Sequence, residues 1–282
     1  MNFIVSFVLI LSMCAFTYAK EKPKDKLYVC AIFNNEARFL NEWIEFHIQQ
    51  GVDKIYLYNN HSTDDYPKVL YKYIRSGIVH FRQWPYKNDS ANWTKTQCDC
   101  YMDCIKKVKG KVEWVAFIDT DEFLFSPLHK RVCDVLDWYA DADAVGVNWV
   151  MYGTSNVEYL GDGRMTQNMT YRAPLEYEAN KHIKTIVRPD RVQGCENPHY
   201  FLMKNNSKVV NENNENISGC FSKHSSEILR INHYWLRDKH FMINEKARRR
   251  GAWYEETVKS LMVADLQLNQ VYDPILKGFV FD

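Results

Sequence analysis

Residues 28–60, YVCAIFNNEARFLNEWIEFHIQQGVDKIYLYNN, decide the class of the fold. Tyr28–Phe33 is an apolar run with the length of a buried strand. Leu40, Trp43, Ile44 and Ile48 then recur at the spacing of one helix face until Gly51 stops them. Lys54–Tyr58 reads as a second strand. The same alternation continues outward. Val69, Leu70, Tyr73 and Ile74 form a helical stripe ended by Gly77, and Ile78–Phe81 is a strand. Thr96–Val108 reads as a helix, Val115–Ile118 as a strand, Val132–Tyr139 as a helix and Ala144–Tyr152 as a strand. Strands and helices in this order predict an α/β fold, a mostly parallel sheet with helices on both faces.

Beyond residue 152 the pattern weakens. Gly, Asn and Pro punctuate Gly153–Tyr177, and short apolar pieces follow at Ile183–Val187, Tyr200–Met203 and Ile228–Ile231. A last helix is expected over Asp238–Arg250. We read this part as an irregular elaboration of the same domain.

At the other end, an uncharged apolar run from Phe3 to Ala19 precedes a charged spacer, KEKPKDK, at 20–26. The small residues of Thr17-Tyr-Ala19 suit signal-peptidase cleavage, so residues 1–19 read as a signal peptide or an uncleaved signal-anchor. The run at 3–19 is barely long enough to anchor in a membrane. Either reading sends the rest, 27–282, into the secretory pathway. Six N-x-S/T sequons, at Asn60, Asn88, Asn92, Asn168, Asn205 and Asn216, agree with that. Seven cysteines remain once Cys14 is set aside. Cys98, Cys100 and Cys104 lack the paired C-x2-C spacing of a zinc site, so disulfides or buried thiols are expected, with one thiol left over. A net charge of +1 argues against a nucleic-acid partner.

The chemistry concentrates in Trp114–Phe125, WVAFIDTDEFLF, where Asp119, Asp121 and Glu122 interrupt an apolar run. Ligands of an open parallel sheet bind at the carboxyl ends of its strands. An Asp-x-Asp at such an end offers hard oxygen ligands for Mg²⁺ or Mn²⁺ carrying a diphosphate. A solvated acidic turn explains most isolated Asp-x-Asp pairs, but the apolar flanks here argue for burial. Two more polar clusters, Asn34–Arg38 and Asn59–Asp65, follow predicted strands and fall on the same edge. Each by itself could be a helix cap. Together they outline a nucleotide pocket.

Five segments, in this order, resemble glycosyltransferase family 92: CAIFNNEARFLNEWIEFHIQQGVDKIYLYNNHSTDD (30–65), FIDTDEFLF (117–125), IKTIVRP (183–189), HYF (199–201) and INHYWLRDKHFMINEKARRRG (231–251). The resemblance implies a GT-A-like fold, with 27–152 as the nucleotide-sugar-binding half and 153–282 as the acceptor side. It implies inverting transfer, in the ER or Golgi lumen, of a sugar from a nucleotide-sugar donor, typically UDP-galactose. The acceptor would be a glycan on a glycoprotein, glycolipid or polysaccharide, and the protein either secreted or a type II membrane protein. One departure stands out: Arg237-Asp-Lys-His240 occupies the place where a Ser followed by acidic residues is expected.

On this reading Asp119, Asp121 and His233 hold Mn²⁺ or Mg²⁺, with His199 a second choice of imidazole. Glu36, Arg38, Asn60, Asp64, Asp65 and Asp119 contact the donor, and Lys184, Arg188 and the Lys246–Arg250 cluster bind its diphosphate. Glu212 and Asp238 are the candidate general bases. Glu122 is expected to pair with a cation or cap the turn. If Asp121 is there only for a metal, Asp121→Asn should leave the metal-free protein as stable as before, or more so. The competing classes are an inactive sugar- or nucleotide-binding module and a phosphatase of the haloacid dehalogenase type, which Phe123 disfavours because that motif wants Thr or Val there.

Overall fold

A computed structural model describes residues 24–86, 91–249 and 257–281. The leader, the start of the spacer, the Asn88 sequon and Arg250 lie outside the described residues. The strands are β1 (Asp25–Phe33), β2 (Lys54–Asn59), β3 (Val79–Gln83), β4 (Val112–Phe117), β5 (Glu122–Phe125), β6 (Ala144–Met151), β7 (Tyr171–Arg172), β8 (Ile183–Val187), β9 (Val192–Asn197), β10 (Tyr200–Met203), β11 (Val209–Asn211), β12 (Arg230–His233) and β13 (Val271–Tyr272). The long helices of the first half are α1 (Ala37–Gln49), α2 (Tyr66–Arg75) and α3 (Trp93–Val108).

One sheet of nine strands carries the order β3-β2-β1-β4-β8-β6-β12-β5, with β11 also paired to β6. The first four strands are mutually parallel. β8 then runs antiparallel between β4 and β6, and β5 antiparallel to β12, while β12 and β11 run parallel to β6. The α/β class, the mostly parallel sheet and the less regular C-terminal part are as the sequence predicts.

β1 shows why. From Leu27 on it is apolar and buried at every position because both its faces are covered, as central parallel strands require. Leu27, Val29, Ala31 and Phe33 pack on one side with Phe39, Leu40, Trp43 and Ile44 of α1. Tyr28, Cys30 and Ile32 pack on the other with Tyr101, Cys104, Ile105 and Val108 of α3. Because β1, β2, β4, β6 and β12 run in one sense, their carboxyl ends share an edge. Antiparallel β8 brings its own beginning, Ile183 and Lys184, to that edge.

Three elements differ from expectation. Residues 132–139 start as an α-helical turn, Val132–Val135, and tighten into a 3-10 turn, Leu136–Tyr139. The last helix expected over 238–250 is present over 239–249, but its middle, Met242–Lys246, is wound as a π-helix. A further helix, Val258–Leu268, was not anticipated, because Met262, Val263 and Leu266 on its exposed side blur the apolar stripe. Among the described residues no helix is long and apolar enough to cross a membrane.

Candidate active site

The turn from β4 to β5 carries the acidic run to the shared edge. Glu122 closes this turn: one of its carboxylate oxygens accepts the Asp119 N–H at 2.8 Å, and its own N–H donates to the Asp119 carbonyl at 3.1 Å. Asp119 points outward. Its Oδ1 accepts from Gln97 of α3 at 2.8 Å and its Oδ2 from Lys184 of β8 at 2.9 Å. Lys184 is buried, which opposes its charge, but Asp119 and Glu122 outweigh that and hold the ammonium above its usual range. Burial, helped by Asp119 and Asp121, pushes the Glu122 carboxyl well up.

Asp121 meets positive charge from the far end of the chain. Its Oδ2 accepts from Arg237 Nη1 at 2.8 Å and lies 3.5 Å from His233 Nε2 and 3.6 Å from Lys246 Nζ. Burial works against the Asp121 charge, yet Arg237 and His233 hold the carboxyl well below its usual range. Burial likewise lowers the His233 pKa, against the pull of Asp121. Burial, with Arg237 and Arg249 adding to it, brings Lys246 down to about 7 against the pull of Asp121.

Arg237 ties the site together. Its guanidinium bridges Asp121 to Glu36 Oε2, at 2.5 Å, and lies between the rings of Phe39 and Phe241. Arg249 donates to the second Glu36 oxygen at 3.3 Å and to the Asn34 carbonyl at 3.1 Å. These groups line a pocket of about 240 Å³ walled by Trp93, Trp149 and Trp235. Carboxylates at its base are thus already met by cations.

That pairing overturns one expectation. Asp121 is not a repelled charge in the metal-free protein, and removing it strips Arg237 and Lys246 of a partner, so Asp121→Asn should destabilise.

Among the described residues no group of three or more His, Cys, Asp or Glu side chains converges on one metal position. Asp121 Oδ2 and His233 Nε2 nevertheless fit a pair of ligands. At 3.5 Å apart, the two atoms are near enough to share one ion. Asp119 is not beside them: its two oxygens accept from Gln97 and Lys184.

The other predicted residues divide. Asn60 lies behind the pocket wall, donating to the Trp84 and Tyr86 carbonyls. Asp64 accepts the Ala37 N–H at the start of α1, and Asp65 pairs in solvent with Lys68. Arg38 pairs with Asp238, whose oxygens also accept the Leu160 and Phe241 N–H groups. A carboxylate so committed is not free to take a proton from an acceptor. Glu212 is likewise occupied: it accepts the N–H groups of Glu227, Ile228 and Leu229 and the Ser225 hydroxyl. Arg188 lies at the opposite end of β8 from Lys184, bonded to Glu113 and the Ala140 and Ala142 carbonyls, and cannot reach the pocket. His199 packs on Trp149 and faces the Ile183 carbonyl, and burial lowers its pKa to about 3.

Gln97, Trp93, Trp149 and Trp235 were missed. Trp235 stands in the quoted NHYW segment, but Gln97 and Trp149 reach the pocket only through tertiary placement of α3 and β6.

The model of glycosyltransferase family 92 matches residues 25–241. A family 92 protein of Oryza sativa subsp. japonica is 33% identical over 193 residues, 65% of this chain and 30% of that protein. Another, of Ricinus communis, is 28% identical over 83% of this chain and 39% of its own length. A beta-1,4-galactosyltransferase of Caenorhabditis elegans is 24% identical over 84% of this chain and 55% of its length. The chain therefore spans well under half of the two family 92 relatives. Among solved structures, that of S. aureus TarS residues 1–349 aligns with 86% of this chain and 70% of its own, at a TM-score of 0.42 and 14% identity.

Proposed function

The chain belongs to glycosyltransferase family 92, and from that premise we propose that it transfers a sugar, galactose from UDP-galactose, onto a glycan acceptor with inversion. The observation that carries this reading is the Asp119-Thr120-Asp121 turn at the carboxyl edge of a mostly parallel sheet, facing a pocket rimmed by Arg237, Lys246 and Arg249. The galactosyl donor is supported by the galactosyltransferase names of two relatives, the C. elegans protein and a galactan beta-1,4-galactosyltransferase of Arabidopsis thaliana that is 24% identical over 61% of this chain.

Lys246 and Arg249 neutralise the donor diphosphate as charge grows on it during departure. Lys184 and Gln97 fix Asp119, turned toward the donor ribose. Arg237 holds Asp121 and Glu36 in one orientation. Trp149 and Trp235 exclude water from the wall beside the diphosphate. Asp121 and His233 would hold Mn²⁺ or Mg²⁺, which when bound supplies Lewis-acid stabilisation of the leaving diphosphate.

A panel of UDP-sugars assayed with Mn²⁺ for donor hydrolysis and transfer tests this. Faster turnover of UDP-galactose than of the other donors is expected. Binding of UDP without any turnover would leave a nucleotide-binding module instead.

The setting proposed is the secretory lumen. Asn205 and Asn216 are exposed and available for glycans, whereas the exposed Asn168 donates its amide to the Arg164 carbonyl and Asn60 is buried with its amide engaged. Endoglycosidase digestion of protein from a eukaryotic secretory host should shift its mobility. No shift, with the protein retained in the cytosol, refutes the setting.

A further inference from the structure

Two buried side-chain atoms beside the pocket have no hydrogen-bond partner: Nδ1 of His233 and Oε1 of Glu122. They face each other at 3.9 Å. The sheet puts them there, because His233 of β12 is the direct cross-strand neighbour of Glu122 of β5, and such pairs leave the sheet on one face. Each residue has its other atom committed. Glu122 Oε2 holds the Asp119 N–H, and His233 Nε2 faces Asp121. Lys184 is also 3.9 Å from Glu122 Oε1, but its ammonium is engaged by Asp119 at 2.9 Å. The His233 backbone is pinned, its carbonyl accepting the Tyr152 N–H, and its ring lies 4.4 Å from that of Trp149. Only a small side-chain shift is needed to join the two unpaired atoms.

We propose that Glu122 is a positioning residue for His233: Glu122 Oε1 accepts the Nδ1 hydrogen and leaves the Nε2 lone pair aimed at the Asp121 side of the pocket. This rests on the proposed metal site, where a ligating imidazole gives its other N–H to an acceptor that fixes tautomer and ring angle. It gives Glu122 a reason to be buried between two other carboxylates. In the competing arrangement the raised Glu122 carboxyl keeps its proton on Oε1 and donates it to Nδ1, so that Nε2 carries the ring hydrogen and donates to Asp121.

Glu122→Gln separates the two. Its carbonyl must stay on the Asp119 N–H, so its NH₂ takes the place of Oε1 and presents hydrogen to Nδ1, forcing the wrong tautomer. Mn²⁺ titrations in the presence of UDP, followed by electron paramagnetic resonance of the free ion, should show affinity about 10–100-fold weaker than wild type. Equal affinity in E122Q and wild type overturns the orientation role alone. If wild type itself binds no Mn²⁺ with UDP, the metal reading fails and the orientation role falls with it. Should E122Q fail to fold, nitrogen NMR of ¹⁵N-histidine-labelled wild type with Mg²⁺ and UDP decides. Hydrogen on Nδ1 of His233 is expected, and hydrogen on Nε2 overturns the proposal.

Discussion

Asp121 and Glu212 are both buried carboxylates, and their surroundings could hardly differ more. Glu212 is gripped by three successive backbone N–H groups and a hydroxyl within its own neighbourhood, so every lone pair serves the loop that follows β11. Asp121 has no such grip. It is met by Arg237, Lys246 and His233, side chains that arrive from more than a hundred residues away and open onto a pocket. A carboxylate satisfied by backbone holds a loop in shape. One satisfied by movable cations beside a cavity can exchange them for a ligand, and the site is recognisable by that difference.

The sharpest way to break the comparison is to neutralise Asp121. Asp121→Asn should drop transfer by roughly 10³-fold or more, since it removes one of the two candidate metal ligands. It should also lower stability by about 1–3 kcal/mol, because Arg237 loses one of its two carboxylates while Glu36 remains. Turnover assays alongside urea melts check both. A fully active variant removes the functional reading of Asp121, and one more stable than wild type removes its pairing with Arg237 as a source of stability.

Glu212→Ala is the structural counterpart. Three buried N–H groups lose their acceptor, at an expected cost of about 3 kcal/mol in urea unfolding. UDP affinity per folded molecule should stay as it was, and calorimetry showing a tenfold loss would place Glu212 back in the site.

The sequence made one half of this legible. Apolar runs and glycine stops located β1 to β4, α1 and α2 within a few residues, because elements buried on one or both faces have to repeat with the period of their geometry. The acidic turn was visible for the same reason, as charge interrupting a buried strand. What a carboxylate pairs with is not periodic. Residue type alone makes Glu212 and Asp238 candidate bases, and only tertiary placement shows that backbone N–H groups already occupy them. Arg188 looked equivalent to Lys184, yet four residues along an extended strand carry it ~13 Å toward the opposite edge. The helix Val258–Leu268 escaped notice because its apolar residues are not confined to the packed side.

Lys246 sharpens the functional side with a smaller effect. Its folded pKa of about 7 lies below the ordinary lysine value of 10.5. The ammonium is therefore present in the pocket below about pH 7 and lost above it, so UDP affinity should fall as pH rises from 6 to 8. Stability moves the other way: between about 7 and 10.5 the unfolded chain binds the proton that the folded one releases, and this group's contribution grows with pH. Lys246→Met should lower UDP affinity at pH 6 by about tenfold and flatten the profile relative to wild type. Calorimetry at several pH values decides, and an unchanged slope in the variant assigns the titration elsewhere.

The smallest effect expected is at Asp65, and it tests whether polar residues at a strand end belong to the site by virtue of their position alone. Asp65 and Glu36 both follow strands of the parallel set and both were expected to contact the donor. The structure separates them. Glu36 is buried and bound to Arg237 and Arg249 at the pocket wall, whereas the Asp65 side chain is 76% exposed and pairs with Lys68 one turn along. An exposed pair of this kind contributes little, about 0–0.5 kcal/mol. Asp65→Ala should therefore leave UDP affinity unchanged and stability nearly so, while Glu36→Gln, by loosening Arg237, should weaken UDP binding about threefold to tenfold. The double variant should then behave like Glu36→Gln alone. If Asp65→Ala instead weakens UDP binding as much as Glu36→Gln, the loop after β2 reaches the ligand, and burial beside a cation is not what marks this site.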